Sequence, residues 1–161
     1  MVEYNFTLVL GRASPDTEGL EDRLFDVGCD DALICSYNQT VYLEFGRQSD
    51  SADNAIRNAV DSIRRAGFSV KTIQEAGLAS ITEIASRAGL TRAELNNYVN
   101  GDRGNGGFPE PIYGLASGSP LFDWLEVASW LHANGKLNKE PVEVAQVARD
   151  IQGQPVVRLQ T

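Results

Sequence analysis

Residues 81–99 read Ile81-Thr82-Glu83-Ile84-Ala85-Ser86-Arg87-Ala88-Gly89-Leu90-Thr91-Arg92-Ala93-Glu94-Leu95-Asn96-Asn97-Tyr98-Val99. This spacing meets the demands of a helix-turn-helix. Ala85 is small where a second helix must cross closely, and four residues later Gly89 tolerates the left-handed conformation that a sharp turn requires. Ile84, Ala88, Leu90, Leu95 and Val99 fill the angle between the helices. Ser80 with Glu83 and Thr91 with Glu94 are both S/T-x-x-E capping boxes, one at the start of each helix. An αα-hairpin in a helical bundle would also need the glycine and the apolar positions. The outward face of the second helix separates the two readings, because it carries Arg92, Asn96, Asn97 and Asn100. Arginine matches the acceptors of guanine, and asparagine pairs bidentately with adenine in the major groove. Thr91, at the helix start, is placed to bond a backbone phosphate, and Arg87 and Arg103 add cations around the motif.

The chain continues through a glycine-rich loop, residues 101–107, to Phe108-Pro109-Glu110-Pro111. Residues 112–115 and 120–122 are expected to form the two short strands of a wing, joined by the uncharged tip Ala116-Ser117-Gly118-Ser119. Asp123 caps a helix with Trp124, Val127, Ala128, Trp130 and Leu131 on its apolar positions. The glycine loop lacks the G-K-[ST] ending and the preceding strand of a phosphate-binding loop. A last helix is expected with Pro141 at its first position and Val142, Val144, Ala145, Val147, Ala148 and Ile151 as apolar content. Its expected place is the core of the winged domain, with pairing to a second subunit as the alternative. Residues 156–159 are a final strand or a disordered end.

These residues resemble a known group. The series Ile84-Ala85, Gly89-Leu90-Thr91, Val99, Gly101, Phe108-Pro109-Glu110-Pro111, Pro120-Leu121-Phe122-Asp123-Trp124, Glu126-Val127 and Trp130-Leu131 resembles the winged helix-turn-helix of the excisionase, AlpA and MerR-like group. The resemblance covers about residues 78–135. It implies sequence-specific binding of double-stranded DNA, with Arg92, Asn96 and Asn97 reading bases and the wing touching backbone.

Upstream, residues 1–75 alternate strand and helix signals. Residues 4–10 are β-branched and aromatic up to Gly11, and a helical stripe runs from Thr17 to Gly28. Residues 32–36 and 41–45 make a hairpin. A helix capped by Ser51 or Asp53 runs to Gly67, and residues 68–73 form a last strand. The order β-α-β-β-α-β is the ferredoxin-like arrangement, which hosts many unrelated functions. The fold expected is therefore α+β: a ferredoxin-like domain at 1–75 for dimerisation or sensing, then a winged helix-turn-helix domain at 76–161 with a C-terminal helix. The junction falls at Glu75-Ala76-Gly77.

The chain of 161 residues carries a net charge of −8, of which residues 1–75 hold −6. Bulk positive charge cannot drive its binding. Residues 87–103 sum to only +1, so one copy would bind weakly, and a homodimer would double the phosphate contacts. Repulsion from the acidic half is screened beyond about 8 Å at physiological ionic strength, so that half must point away from the duplex. Cys29, Cys35 and His132 are too few and too scattered for a structural zinc site. Cys35 is expected to face the core of its strand. No carboxylate has a partnering His or Lys, so no enzyme, metal or cofactor is expected. No run approaches the roughly 18 apolar residues of a membrane span, and the first residues do not look like a signal peptide. A cytoplasmic DNA-binding regulator is the reading that follows. The alternative is a protein-interaction or inhibitor module whose winged fold no longer binds DNA, favoured by the overall charge and the uncharged wing tip. The acidic N-terminal domain offers a surface for a protein partner.

Overall fold

Alternation along the first strand sets the architecture. In β1 (Val2–Gly11), Tyr4, Phe6, Leu8 and Leu10 are buried, while Asn5, Thr7 and Val9 take the opposite face. The same alternation in β3 (Thr40–Ser49) buries Val41, Leu43 and Phe45. The two strands pair antiparallel with Phe6 opposite Phe45, and those rings stack at 4.9 Å. β2 (Ala32–Tyr37) joins β3 through a tight turn in which Asn38 adopts φ 52°, and β4 (Ser69–Ile73) pairs with β1 on its other side. The sheet is antiparallel throughout, in the order β2-β3-β1-β4. The computed structural model describes residues 1–101 and 106–155. Arg103 and the expected strand at 156–159 lie outside the described residues.

Two helices cover one face of this sheet. α1 (Leu20–Asp26) contributes Leu20 and Leu24, and α2 (Ala52–Arg65) contributes Ala52, Ala55, Ile56, Ala59 and Ile63. Ser51 caps α2 by accepting from the Asn54 N–H at 3.0 Å. Arg47 is buried and ties the end of α1 to the sheet, donating to both Asp31 oxygens at 2.8 and 3.0 Å and to the Gly28 carbonyl at 3.0 Å.

Cys35 departs from expectation. Its neighbour Ile34 packs against the core, so Cys35 falls on the other face, half-exposed, with its thiol 3.7 Å from Glu44 Oε1. Cys29, just before β2, is the buried cysteine.

The segment Glu75-Ala76-Gly77 is built into the structure. Gln74–Ala76 forms one 3-10 turn in which Glu75 and Ala76 are buried. β4 ends at Ile73, and the Glu75 carboxylate then accepts the Thr7 N–H at 2.9 Å, at the next position along the β1 edge. β5 (Leu78–Ser80) leads into α3 (Ile81–Ala88) and α4 (Arg92–Val99). β6 (Leu121–Asp123) pairs with β5 and leads into α5 (Trp124–Ala133). A second core forms here from Ile84, Ala85, Leu95, Phe122, Trp124, Val127 and Leu131.

α6 (Lys139–Gln152) starts two residues earlier than the sequence suggested, with Asn138 at its cap and Pro141 in its third position. Proline is tolerated there because first-turn N–H groups have no partner inside the helix. The helix packs on both cores. Val144 and Ala148 belong to the sheet cluster and Ala145 to the second, whereas the sequence had placed it with the second alone. Gln152, at its end, accepts the Ile73 N–H at 2.6 Å, and Arg149 pairs with the buried Asp123 at the start of α5. The whole is a mixed α+β fold with six α-helices among the described residues. Among those residues no helix is long and apolar enough to cross a membrane.

Candidate nucleic-acid interface

Local chemistry fixes α3, the turn and α4. Ser80 Oγ accepts the Glu83 N–H at 3.2 Å and Glu83 Oε1 accepts the Ser80 N–H at 3.0 Å; Thr91 and Glu94 repeat the exchange at 3.1 Å in both directions. Each box satisfies two N–H groups that the helix itself cannot. Between them Gly89 sits at φ 67°, ψ 30°. A Cβ there would meet nothing within 4 Å, so the backbone angle, not space, calls for glycine. The Leu90 N–H then returns to the Ala85 carbonyl at 2.9 Å.

α4 has two distinct sides. Leu95 and Tyr98 are buried, and the Tyr98 ring meets the edge of Trp130 with centroids 5.6 Å apart. Arg92, Asn96 and Asn100 are exposed, and Asn97 is half-buried beside them. Thr91 is exposed as a residue, but its hydroxyl is engaged in the capping box. Arg87 faces elsewhere. Its side chain is 19% exposed, lies 4.9 Å over the Trp124 ring and approaches Glu83 at 3.8 Å. The structure thus brings Arg92, Asn96, Asn97 and Asn100 together on one helix and holds Arg87 apart.

The segment from Gly106 onward is pinned by aromatic contacts. Trp130 Nε1 donates to the Gly106 carbonyl at 3.0 Å, and Phe108 packs edge-on against Trp130 and Phe122. The chain then doubles back. Ile112 N–H donates to the Leu121 carbonyl at 2.9 Å and Leu121 N–H to the Tyr113 carbonyl at 2.8 Å. One arm of this hairpin is β6; the other is reduced to the single Tyr113–Leu121 bridge. Gly114, at φ 75°, lets the tip close, since a Cβ there would lie 2.1 Å from the Ser119 carbonyl oxygen. Tyr113 and Leu115 project from it, 62% and 64% exposed.

Two cations were not singled out from the sequence. Lys136, in the α5–α6 connection, and Lys139, the first residue of α6, are exposed, and among the described residues neither is in an ion pair. They line a groove of about 750 Å³ shared with Ser86, Arg87 and Gly89 at the turn that leads into α4. The available signal was a pair of lysines flanking the gap between two helices, and their nearness to Gly89 is a tertiary fact. Comparison with protein-family models, curated proteins and solved structures finds no match for this chain.

Proposed function

We propose that the chain is a sequence-specific double-stranded DNA-binding regulator, a small repressor, antitoxin-like or excisionase-like factor, that acts as a homodimer. In this reading residues 78–135 form a winged helix-turn-helix and residues 1–75 a ferredoxin-like domain. The two-sidedness of α4 carries the proposal. One side is buried against α3 and α5, and the other displays an arginine and three asparagines, the side chains that match base edges in the major groove. Arg92 and Arg103, with Lys136 and Lys139, supply phosphate contacts, whereas Arg87 is occupied within the fold. A second reading, a protein-interaction or inhibitor module, is favoured by Tyr113 and Leu115, which give the wing an apolar, uncharged surface.

Selection from a pool of genomic duplex fragments separates the two. A regulator enriches fragments that share a motif, and its affinity falls linearly with the logarithm of salt concentration. Asn96→Ala should then cost about 1–3 kcal/mol at the recovered site and leave the melting temperature unchanged. Recovery of no enriched fragment, even at low salt, would favour the interaction module.

A further inference from the structure

The two edges of the four-stranded sheet are treated differently. β4 is short, carries the exposed Lys71, and meets β1 through an irregularity between Val9 and Leu10. Gln152 of α6 reaches over it, accepting from Ile73 N–H and donating to Thr72 Oγ1 at 2.8 Å. Where β4 stops, Glu75 covers Thr7. Charge, irregularity and covering side chains are the means by which sheet proteins keep a strand edge from pairing with another chain.

β2 has none of these. Its sequence, Ala32-Leu33-Ile34-Cys35-Ser36-Tyr37, holds no charge, proline or glycine, and it pairs with β3 in unbroken register over its whole length. It is the only strand of that sheet without a charged residue. The Asp31 carbonyl accepts from Gly46 N–H at 3.2 Å. By alternation Leu33, Cys35 and Tyr37 also bond to β3, and the N–H and C=O groups of Ile34 and Ser36 point off the sheet. No backbone bond from elsewhere among the described residues reaches them. Leu33 and Tyr37 are exposed on this strand, as is Phe25 on the helix that leads into it.

We propose that β2 pairs antiparallel with β2 of a second copy about a two-fold axis, joining the two sheets into one of eight strands. An antiparallel edge is self-complementary under that symmetry, because each outward N–H meets an outward C=O of the same strand. The lack of charge matters in a half that carries −6: the strand adds none of its own, although Glu21 and Asp22 lie beside Ile34, Cys35 and Ser36. The pairing gives the proposed homodimer its surface. It is tested without DNA, so it and the DNA reading fail separately.

Sedimentation velocity on the full chain across a concentration series should show a species of twice the 17.5 kDa chain mass. Leu33→Lys adds to the edge the kind of charge by which sheets resist such pairing, and Ser36→Pro removes an outward donor. Each should weaken the dimer about tenfold or more, because every lost contact counts twice by symmetry. Leu33→Lys, at an exposed side chain, should leave circular dichroism and melting of the monomer unchanged, so it remains informative if the proline variant does not fold. A parent that stays monomeric at every concentration, or a folded Leu33→Lys variant that dimerises like the parent, overturns the proposal.

Discussion

α3 and α4 are near copies in local chemistry and opposite in use. Both have eight residues, both start from a capping box, and each carries one arginine. The difference comes from what lies around them. α3 is packed against α4 on one side, and on another it borders a groove of about 690 Å³ whose far wall is the sheet, through Asn5, Thr7, Tyr42 and Glu44. Its arginine, Arg87, is therefore held between Trp124 and the carboxylates of Glu83 and Glu75. α4 packs along one side only, so Arg92 reaches water. Identical residue types at similarly capped helices thus become a structural brace in one case and an exposed, water-facing group in the other. Surroundings, not propensity, decide which.

The sharpest way to break this comparison is to remove the two arginines in turn. Arg87→Ala loses the stacking on Trp124 and leaves a buried carboxylate without its opposing charge, so it should cost about 2–3 kcal/mol of stability. Arg92→Ala should change stability by no more than about 0.5 kcal/mol, as expected for an exposed position without a packing role. Urea denaturation of both variants checks this. Equal effects would mean that the inward and outward assignments carry no energetic difference.

A pair of alanines gives a smaller effect. Ala85 is buried where the turn folds back on α3, so Ala85→Leu should overpack the crossing and cost about 1–2 kcal/mol. Ala93 is exposed on α4, and Ala93→Leu should stay within about 0.5 kcal/mol. Thermal melts that place the two variants together would show that the helices do not meet closely at Ala85.

What was legible in the sequence follows the range of the interaction involved. The capping boxes, Gly89 and the apolar alternation of β1 and β3 are local, and each could be read from residues a few positions apart. Cys35 was misplaced because a short apolar run does not declare its phase; only the pairing of Leu33 with Glu44 and Cys35 with Tyr42 fixes which face it takes. β5 has three residues, too few for a periodic signal. The inward turn of Arg87 depends on Trp124, and the place of α6 depends on contacts from Val144 and Ala148 to a sheet core built mainly before residue 77. No pattern within α3 or α6 encodes those distant partners. The same holds at the candidate interface, where Arg92, Asn96 and Asn97 were visible as one helical face, but the meeting of Lys136 and Lys139 with the turn at Gly89 was not.

The finest test concerns the carboxyl that faces Arg87. Burial pushes Glu75 above the ordinary carboxylate range, and Arg87 pulls it partway back. A carboxyl raised in this way keeps its proton in the folded chain at pH values where the unfolded chain, titrating near 4.3, has lost it. The folded state then binds more protons, so this contribution to stability falls as pH rises from about 4 to the folded-state value and is constant above it. Glu75→Gln keeps an oxygen that can accept the Thr7 N–H but removes the titration. The variant and the parent should therefore match most closely below about pH 4. Above it the variant should gain on the parent with rising pH until Glu75 is ionised in the fold. The other acids titrate in both proteins and cancel in the difference. Denaturation curves recorded from acid to neutral pH measure that gap, and a gap independent of pH would remove Glu75 from the account of how α3 is held.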